Sequence, residues 1–309
     1  MRRIHYAAAM CVALSLAACG APENPMAVVR DAGQKMATVK SMKFDLTGRV
    51  KTHREYASSA GLPAGLKSLV PTDSDQKLDG TGAALLPDRF SLDGHSSQGD
   101  TTSRVHMVVI GDTVFMTIPT TGAWIKFPTG AKSGGGAGAG ASLGGGIGGF
   151  DPASSEKLLK SAKSVTDLGY EDVDGVRSYH YRLFMDTDKL MAAVNAEAAT
   201  STVPGISSLA DRLTISDYRV ETWIGVVDHL TRRTLTDYSM SLRPASSGAQ
   251  APSGTGMDLS GMKMNMSAHA LMNLHDFGAA VTITAPPNAQ DFSTLFGGAA
   301  GKPPGQNSR

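Results

Sequence analysis

The sequence predicts an α+β fold in which an antiparallel β-sheet forms most of the chain and a few helices pack on one face. Apolar and polar residues alternate with a period of two in many separate segments, as in half-buried strands. Dipeptides such as Gly111-Asp112 and Asp174-Gly175 join neighbouring segments as tight hairpin turns. Only a few stretches show the spacing of a helix. With 309 residues, 41% of them apolar, the chain can bury a sizeable core.

The first twenty residues have the pattern of a bacterial lipoprotein signal. Arg2 and Arg3 precede an apolar stretch over 6–16 that is too short to span about 30 Å of hydrocarbon. It leads into the lipobox Leu16-Ala17-Ala18-Cys19, which predicts a signal peptide over 1–18, cleavage before Cys19 and a diacylglyceryl thioether on that cysteine. The alternative is an ordinary signal peptide with an accidental cysteine.

Cleavage would leave a mature chain anchored only by its acyl groups. Of the two cysteines, Cys11 would be lost and Cys19 acylated, so no intramolecular disulfide is expected. Loss of Arg2 and Arg3 changes the formal charge from +1 to about −1, and no basic cluster suits nucleic acid. We expect residues 19–25 to be a lipidated tether and the protein to lie on the extracytoplasmic face of the cell membrane.

The first half of the chain predicts one helix followed by strands. Residues 26–41 form the helix, because Val28, Ala32, Met36 and Val39 recur at helical spacing. Strands are predicted at 42–50, at two segments with the inward residues Val105, Met107, Val109 and Val114, Met116, Ile118, and at 124–127. The Gly/Ala/Ser-rich stretch 130–149 is predicted to be a flexible loop.

The second half predicts two helices and more strands, and we assign 26–296 to a single domain. Asp151-Pro152 begins a helix that continues to about residue 163. The other predicted elements are a hairpin of strands 165–173 and 177–185, a helix over 186–198, strands at 217–225, 230–242, 262–275 and 281–284, a flexible loop at 244–261 and a disordered tail at 297–309. Strand 262–275 spans about 43 Å, so we expect a bulge or kink in it.

Motifs for catalysis and metal binding are weak throughout. The histidines lack the spacing of metal ligands, and His269 and His275 would lie about 20 Å apart on one strand. The G-x-G-x-x-G match at Gly144, Gly146 and Gly149 lies inside a glycine tract, with no strand leading into a helix. We therefore expect a protein that is not an enzyme and that uses no cofactor or metal.

The positive signal is a stripe of methionines. Fifteen methionines is a high count, and four occupy one face of 262–272, where a core usually has Val, Ile or Leu. One interpretation is an ordinary sheet core beneath a helix; the other is the lining of an adaptable apolar cavity. The candidate lining residues are Met107, Val109, Met116, Tyr179, Tyr181, Met262, Met264, Met266 and Met272.

The order of these motifs resembles the actinobacterial LppX/LprAFG lipoproteins, within the LolA/LolB-like superfamily. The resemblance spans about residues 26–292 and rests on the lipobox and on short motifs, namely Gly111-Asp112-Thr113-Val114-Phe115, Gly122-Ala123-Trp124, Glu221-Thr222-Trp223-Ile224 and Asp276-Phe277-Gly278. It implies a strongly curved antiparallel half-barrel with helices on its concave face and a cavity that carries lipids or lipidated molecules. The loops at 130–149 and 244–261 depart from the family pattern.

Three functions remain as hypotheses. The first is a carrier whose ligand is a lipid or glycolipid held against the Met and Tyr faces. The second is an envelope sensor or accessory subunit that uses the same fold to bind an envelope protein partner. The third is a hydrolase whose catalytic residues the motifs do not identify.

Overall fold

The computed structural model describes residues 24–56, 73–118, 121–128, 159–200, 210–244 and 262–291. The predicted signal peptide, the lipobox with Cys19, the loop at 130–149, the tail at 297–309 and nearly all of the loop at 244–261 lie outside these residues.

The described part of the chain folds into one curved, open sheet of twelve strands. The strands are β1 (Ser41–Tyr56), β2 (Asp73–Leu85), β3 (Arg89–Gln98), β4 (Thr101–Ile110), β5 (Thr113–Thr117), β6 (Trp124–Pro128), β7 (Ala162–Val173), β8 (Val176–Met185), β9 (Leu213–Gly225), β10 (Thr231–Leu242), β11 (Met262–His275) and β12 (Gln290–Asp291). Their order is β12-β6-β5-β4-β3-β2-β1-β11-β10-β9-β8-β7, and every pair is antiparallel except β12 with β6. This confirms the predicted α+β class.

Helix α1 (Pro25–Thr38) packs on the apolar face of this sheet. The side chain of Asn24 accepts a hydrogen bond from the Met26 amide at 3.0 Å, and Pro25 occupies the first helical turn, so the start is well capped. Its buried residues recur at the predicted spacing: Val28, Val29, Ala32 and Met36. A second helix, α2 (Thr187–Thr200), lies beside β9. The helix predicted to continue to residue 163 ends earlier, because β7 begins at Ala162.

The long alternating run forms β11, at the centre of the sheet. It pairs with β1 in one unbroken register, from Lys43 opposite His275 to Tyr56 opposite Met262. The register therefore shows no bulge in 262–275. Register shifts occur instead nearer one edge of the sheet, where β10 pairs with β9 and β7 pairs with β8.

Strands β2 and β3 were missed because glycine replaces apolar side chains at their inward positions. Gly82 lies opposite Phe44 in the register, and a Cβ there would overlap the Phe44 ring. Gly80 and Gly94 pair with each other, and a Cβ on Gly80 would lie 2.8 Å from the Asp93 carbonyl oxygen. The ring and the close backbones fill the space that side chains fill elsewhere, so the alternation is lost from the sequence.

The strand predicted at 281–284 was also wrong. The chain there is unpaired, although Ile283 is buried. Strand β1 is already paired on both sides, with β2 and β11, so the segment after β11 finds no free strand next to it. The chain pairs again only at the far edge, where β12 adds to β6.

Candidate apolar binding face

The two faces of the sheet differ sharply in chemistry. We call the face that contacts α1 the inner face; on β1 it carries Met42, Phe44 and Leu46, all buried. The opposite outer face carries Lys43 and Asp45, both exposed. Because residues opposite each other in the register share a face, the apolar set extends across neighbouring strands as continuous rows.

The inner face contains two core clusters connected by α1. Met36 of α1 packs in the first, with Phe44, which stacks on Phe90 at a centroid distance of 5.0 Å. Val28 and Val29 pack in the second, on β8 and β9. The helix therefore contributes side chains to both clusters of the inner face.

The structure divides the predicted lining residues into two groups. Five are buried within the core clusters: Met107, Val109 and Met272 in the first, Tyr179 and Tyr181 in the second. Met116, Met264 and Met266 are half-buried. The side chain of Met262 lies outside the described set. The five buried residues act as core where the structure describes them, and their part in a lining stays a prediction.

Met264 and Met266 belong to an apolar region outside the two core clusters, which we call the methionine end, whereas Met116 lies on β5 opposite Met107. Met266 lies opposite Met240 of β10, and Met264 lies one inward position further along β11. On the β1–β2 side, Val50 and Leu78 are likewise half-buried on the inner face. Flexible thioether side chains without full packing partners can adjust to a variable apolar shape.

Two tyrosines that the sequence reasoning missed stand beside this region. Tyr218 of β9 and Tyr238 of β10 are opposite each other and stack with a centroid distance of 5.9 Å. Burial, with a smaller contribution from Tyr238, raises the pKa of Tyr218 to about 12, so its hydroxyl stays neutral and can donate and accept hydrogen bonds. Both occupy inward positions of correctly predicted strands, so alternation could have identified them.

Outward polar side chains on β8 and β9 form hydrogen-bonded ion pairs. Arg182 Nε donates to Glu221 Oε1 at 2.8 Å, and His180 Nε2 lies 2.9 Å from Glu221 Oε2. Burial opposes ionisation of Glu221, but the hydrogen bonds from Arg182 and His180 outweigh it and lower the pKa of this carboxyl. His180 also stacks on Trp223 at 4.1 Å. These contacts link β8 to β9 on the outer face of the sheet.

No described group of three or more His, Cys, Asp or Glu side chains is arranged to hold a metal ion. Among the helices of the described ranges, none combines the length and apolar character needed to cross a bilayer.

Comparison with known proteins gives structural matches alone: no family model and no curated protein matches the chain. The chain is similar to lipoprotein LppX from Mycobacterium tuberculosis, at 12% identity and a TM-score of 0.39, over 85% of this chain and 100% of that one. LprF from Mycobacterium bovis matches at 12% identity and a TM-score of 0.37, over 86% and 98%. A LolA superfamily protein from Nitrosomonas europaea matches at 8% identity and a TM-score of 0.22, over 82% and 94%. These are the groups that the sequence resembles.

Proposed function

We propose that this protein is a lipid-anchored extracytoplasmic lipoprotein that binds lipids or lipidated molecules against the inner face of its sheet and transfers them within the cell envelope. The observation that carries the proposal is the methionine end. Met240, Met264 and Met266 share one face of two paired strands and are half-buried, where a sheet core normally buries such residues fully. This patch matches the chemistry of acyl chains.

The side chains around the methionine end suit a ligand whose shape varies. Methionine has three rotatable bonds and a polarisable sulfur, so it packs well on chains of different length and branching. The neutral hydroxyls of Tyr218 and Tyr238 offer hydrogen bonds to an ester or headgroup at the apolar boundary. Transfer needs no energy source, because a ligand moves towards the acceptor that binds it more tightly.

The anchor places this binding face in the envelope. The lipobox predicts acylation at Cys19, and only a few residues separate that position from the start of α1 at Pro25. Two or three acyl chains hold a protein at a membrane without help from basic residues. The binding face would therefore remain within reach of membrane lipids.

The test is lipid retention by residues 20–309 expressed without the anchor. We expect organic extraction and native mass spectrometry to find bound lipid at near-unit stoichiometry. Met264→Asp and Met266→Asp place a carboxylate on the inner face and should reduce bound lipid at least tenfold. The matched control is Asn265→Asp, which puts the same carboxylate on the outer face of the same strand and should leave binding unchanged.

Circular dichroism must show that each variant is folded. A folded wild-type protein that stays empty after incubation with envelope lipids would overturn the carrier proposal and favour a protein partner. Equal lipid loss in Asn265→Asp and in the inner-face variants would show that the methionine end is not the binding face.

A further inference from the structure

The outer face carries a depression of about 490 Å³ that the lipid proposal does not use. Its floor is the stretch of sheet where β1, β2, β3 and β4 run side by side, and the small side chains Thr81, Ala83 and Ser91 cover that floor. Larger side chains, including Lys43 and Trp124, form its walls. The volume lies within the range of roughly 300–1,000 Å³ that is typical of small-molecule sites. We call this feature the outer depression.

One wall of the outer depression is polar and includes one hydrogen-bonded ion pair. Lys43 Nζ donates to Asp276 Oδ2 at 2.9 Å, whereas His275 Nε2 lies 3.5 Å from Asp45 Oδ2 and makes no hydrogen bond with any described residue. Lys43, Asp45 and His275 all line the depression. The hydrogen bond to Asp276 positions Lys43 before any ligand arrives, while the Asp45 carboxylate and His275 Nε2 keep hydrogen-bonding capacity for a ligand.

The other wall combines an indole with a second carboxylate. Trp124 and His106 are in ring contact at a centroid distance of 6.1 Å. Asp93 Oδ2 accepts a hydrogen bond from Arg104 at 3.0 Å, and Asp93 Oδ1 lies 3.4 Å from His106 Nδ1. The hydrogen bond from Arg104 lowers the pKa of Asp93 against the opposing effect of burial, so this group is an ionised acceptor.

The register sets the width between the two carboxylates. Asp45 lies opposite Thr81, which in turn lies opposite Asp93. Two strand spacings separate their backbones, or about 10 Å, with the threonine between them. That gap accommodates one six-membered ring and its substituents above the small side chains.

From this arrangement we infer that the outer depression binds a neutral saccharide. In a saccharide of two rings, the hydroxyls of one ring can donate to Asp45 and Asp93, and the apolar C–H face of the next ring can pack on the indole of Trp124, which stands on β6 beyond Asp93. A charged ligand would meet groups of both signs on the walls. A flat aromatic ligand would leave the polar groups of the rim unsatisfied.

The saccharide site is separate from the lipid-binding face. Side chains alternate between faces along each strand, so Lys43 and Asp45 point outward while Phe44 between them points into the core. A ligand on one face therefore does not displace a ligand on the other. The inference does not depend on the lipid proposal.

The experiment titrates the unanchored protein, residues 20–309, with soluble neutral di- and trisaccharides of gluco, galacto, manno and arabino configuration. Saturation-transfer NMR and calorimetry report binding. We expect millimolar or tighter affinity for at least one probe. Trp124→Ala should weaken it about tenfold, and Trp124→Phe should restore part of it. Asp45→Asn should also weaken it, whereas Asp79→Asn, on the same face but outside the depression, should not.

A second variant covers the case in which Trp124→Ala fails to fold. Thr81→Arg fills the depression from an exposed strand position, so it should abolish saccharide binding in a folded protein. Lipid retention, measured on the same samples, should be unchanged. A parallel titration with vesicles, with and without a neutral glycolipid, distinguishes a free glycan from a membrane headgroup; binding to either source that Thr81→Arg abolishes supports the site.

Three outcomes would overturn the inference. The folded wild-type protein could bind no neutral saccharide at a ligand concentration of about 10 mM, which is near the weakest affinity that these methods measure. Binding could survive Thr81→Arg, which would place the sugar elsewhere. Inorganic phosphate could bind while neutral sugars do not, which would show that the depression selects anions.

Discussion

Replacing Gly82 with alanine should destabilise the protein strongly, because the inward position next to Phe44 has no room for a methyl group. A Cβ built on Gly82 lies 2.6 Å from Cε2 of Phe44, and closer still to Cζ of that ring and to the backbone oxygen of Ser91. The ring cannot swing away, since Phe44 is fully buried and stacks on Phe90. The oxygen belongs to strand β3, so relief there requires the two strands to separate.

We expect the cost to reach the upper part of the range for overpacked cores, about 3 kcal/mol. In a domain of this size, each kcal/mol lowers the melting temperature by about 2–4 °C, so the expected decrease is about 6–12 °C. Urea unfolding followed by circular dichroism measures the free energy, and thermal melts give the midpoint. The m-value should not change, since both proteins bury the same surface.

The matched control is Gly33→Ala in helix α1, where a Cβ would meet no atom within 4 Å. Alanine is the better helix former by roughly 0.5–1 kcal/mol, so this variant should be slightly more stable than wild type. The same chemical change thus has opposite signs at the two sites. Combining Gly82→Ala with Phe44→Leu removes the far end of the ring and should recover part of the loss. A Gly82→Ala protein within about 0.5 kcal/mol of wild type, or a control that loses as much stability, would refute the reasoning.

Three further predictions concern stability and titration. Replacing Glu221 with glutamine leaves Arg182 and His180 without their ionised partner and should cost about 3 kcal/mol in urea unfolding; a loss below 1 kcal/mol would contradict it. Because the folded-state pKa of Glu221 is lowered, its contribution is complete above the unfolded value of about 4.3 and disappears as the pH falls through the folded value, so the variant should show a flatter stability profile below pH ~5. Asn24→Ala removes the cap of α1 and should lower the free energy of unfolding by about 1 kcal/mol. An unchanged free energy of unfolding would show that the cap does not stabilise the protein. Spectrophotometric titration should find Tyr218 ionising near pH 12, and a Tyr218→Phe protein should lack that step; ionisation near pH 10 would show that the site is hydrated.

The strands with regular alternation were predictable from sequence. Strands β7 to β11 lie within a few residues of their predicted positions, because each has one apolar face and a turn signal at its end. Strands β2 and β3 were not, since Gly80, Gly82 and Gly94 occupy inward positions whose space is filled by groups distant in the chain. Strand β12 is only two residues long and pairs in parallel with β6, a contact for which local sequence carries no signal.

The sequence predicted which residues share the apolar face, but not which of them remain accessible to a ligand. Alternation alone places Met264, Met266 and Met272 on one side of β11. It does not say which of them α1 and the neighbouring strands bury, and that difference separates Met272, which is core, from the half-buried pair. Tyr218 and Tyr238 became neighbours only through the register of β9 with β10.

By itself, the sequence determined the α+β class and the apolar side of each regular strand, because these properties depend on residues close together in the chain. It also predicts a lipid anchor, from the short lipobox motif. Tertiary structure decided strand order, the packing of α1 on the inner face and the existence of the outer depression. That depression brings Lys43, Trp124 and His275 onto one surface from distant parts of the chain. Strand pairing creates such a site through long-range contacts, and no local pattern encodes them.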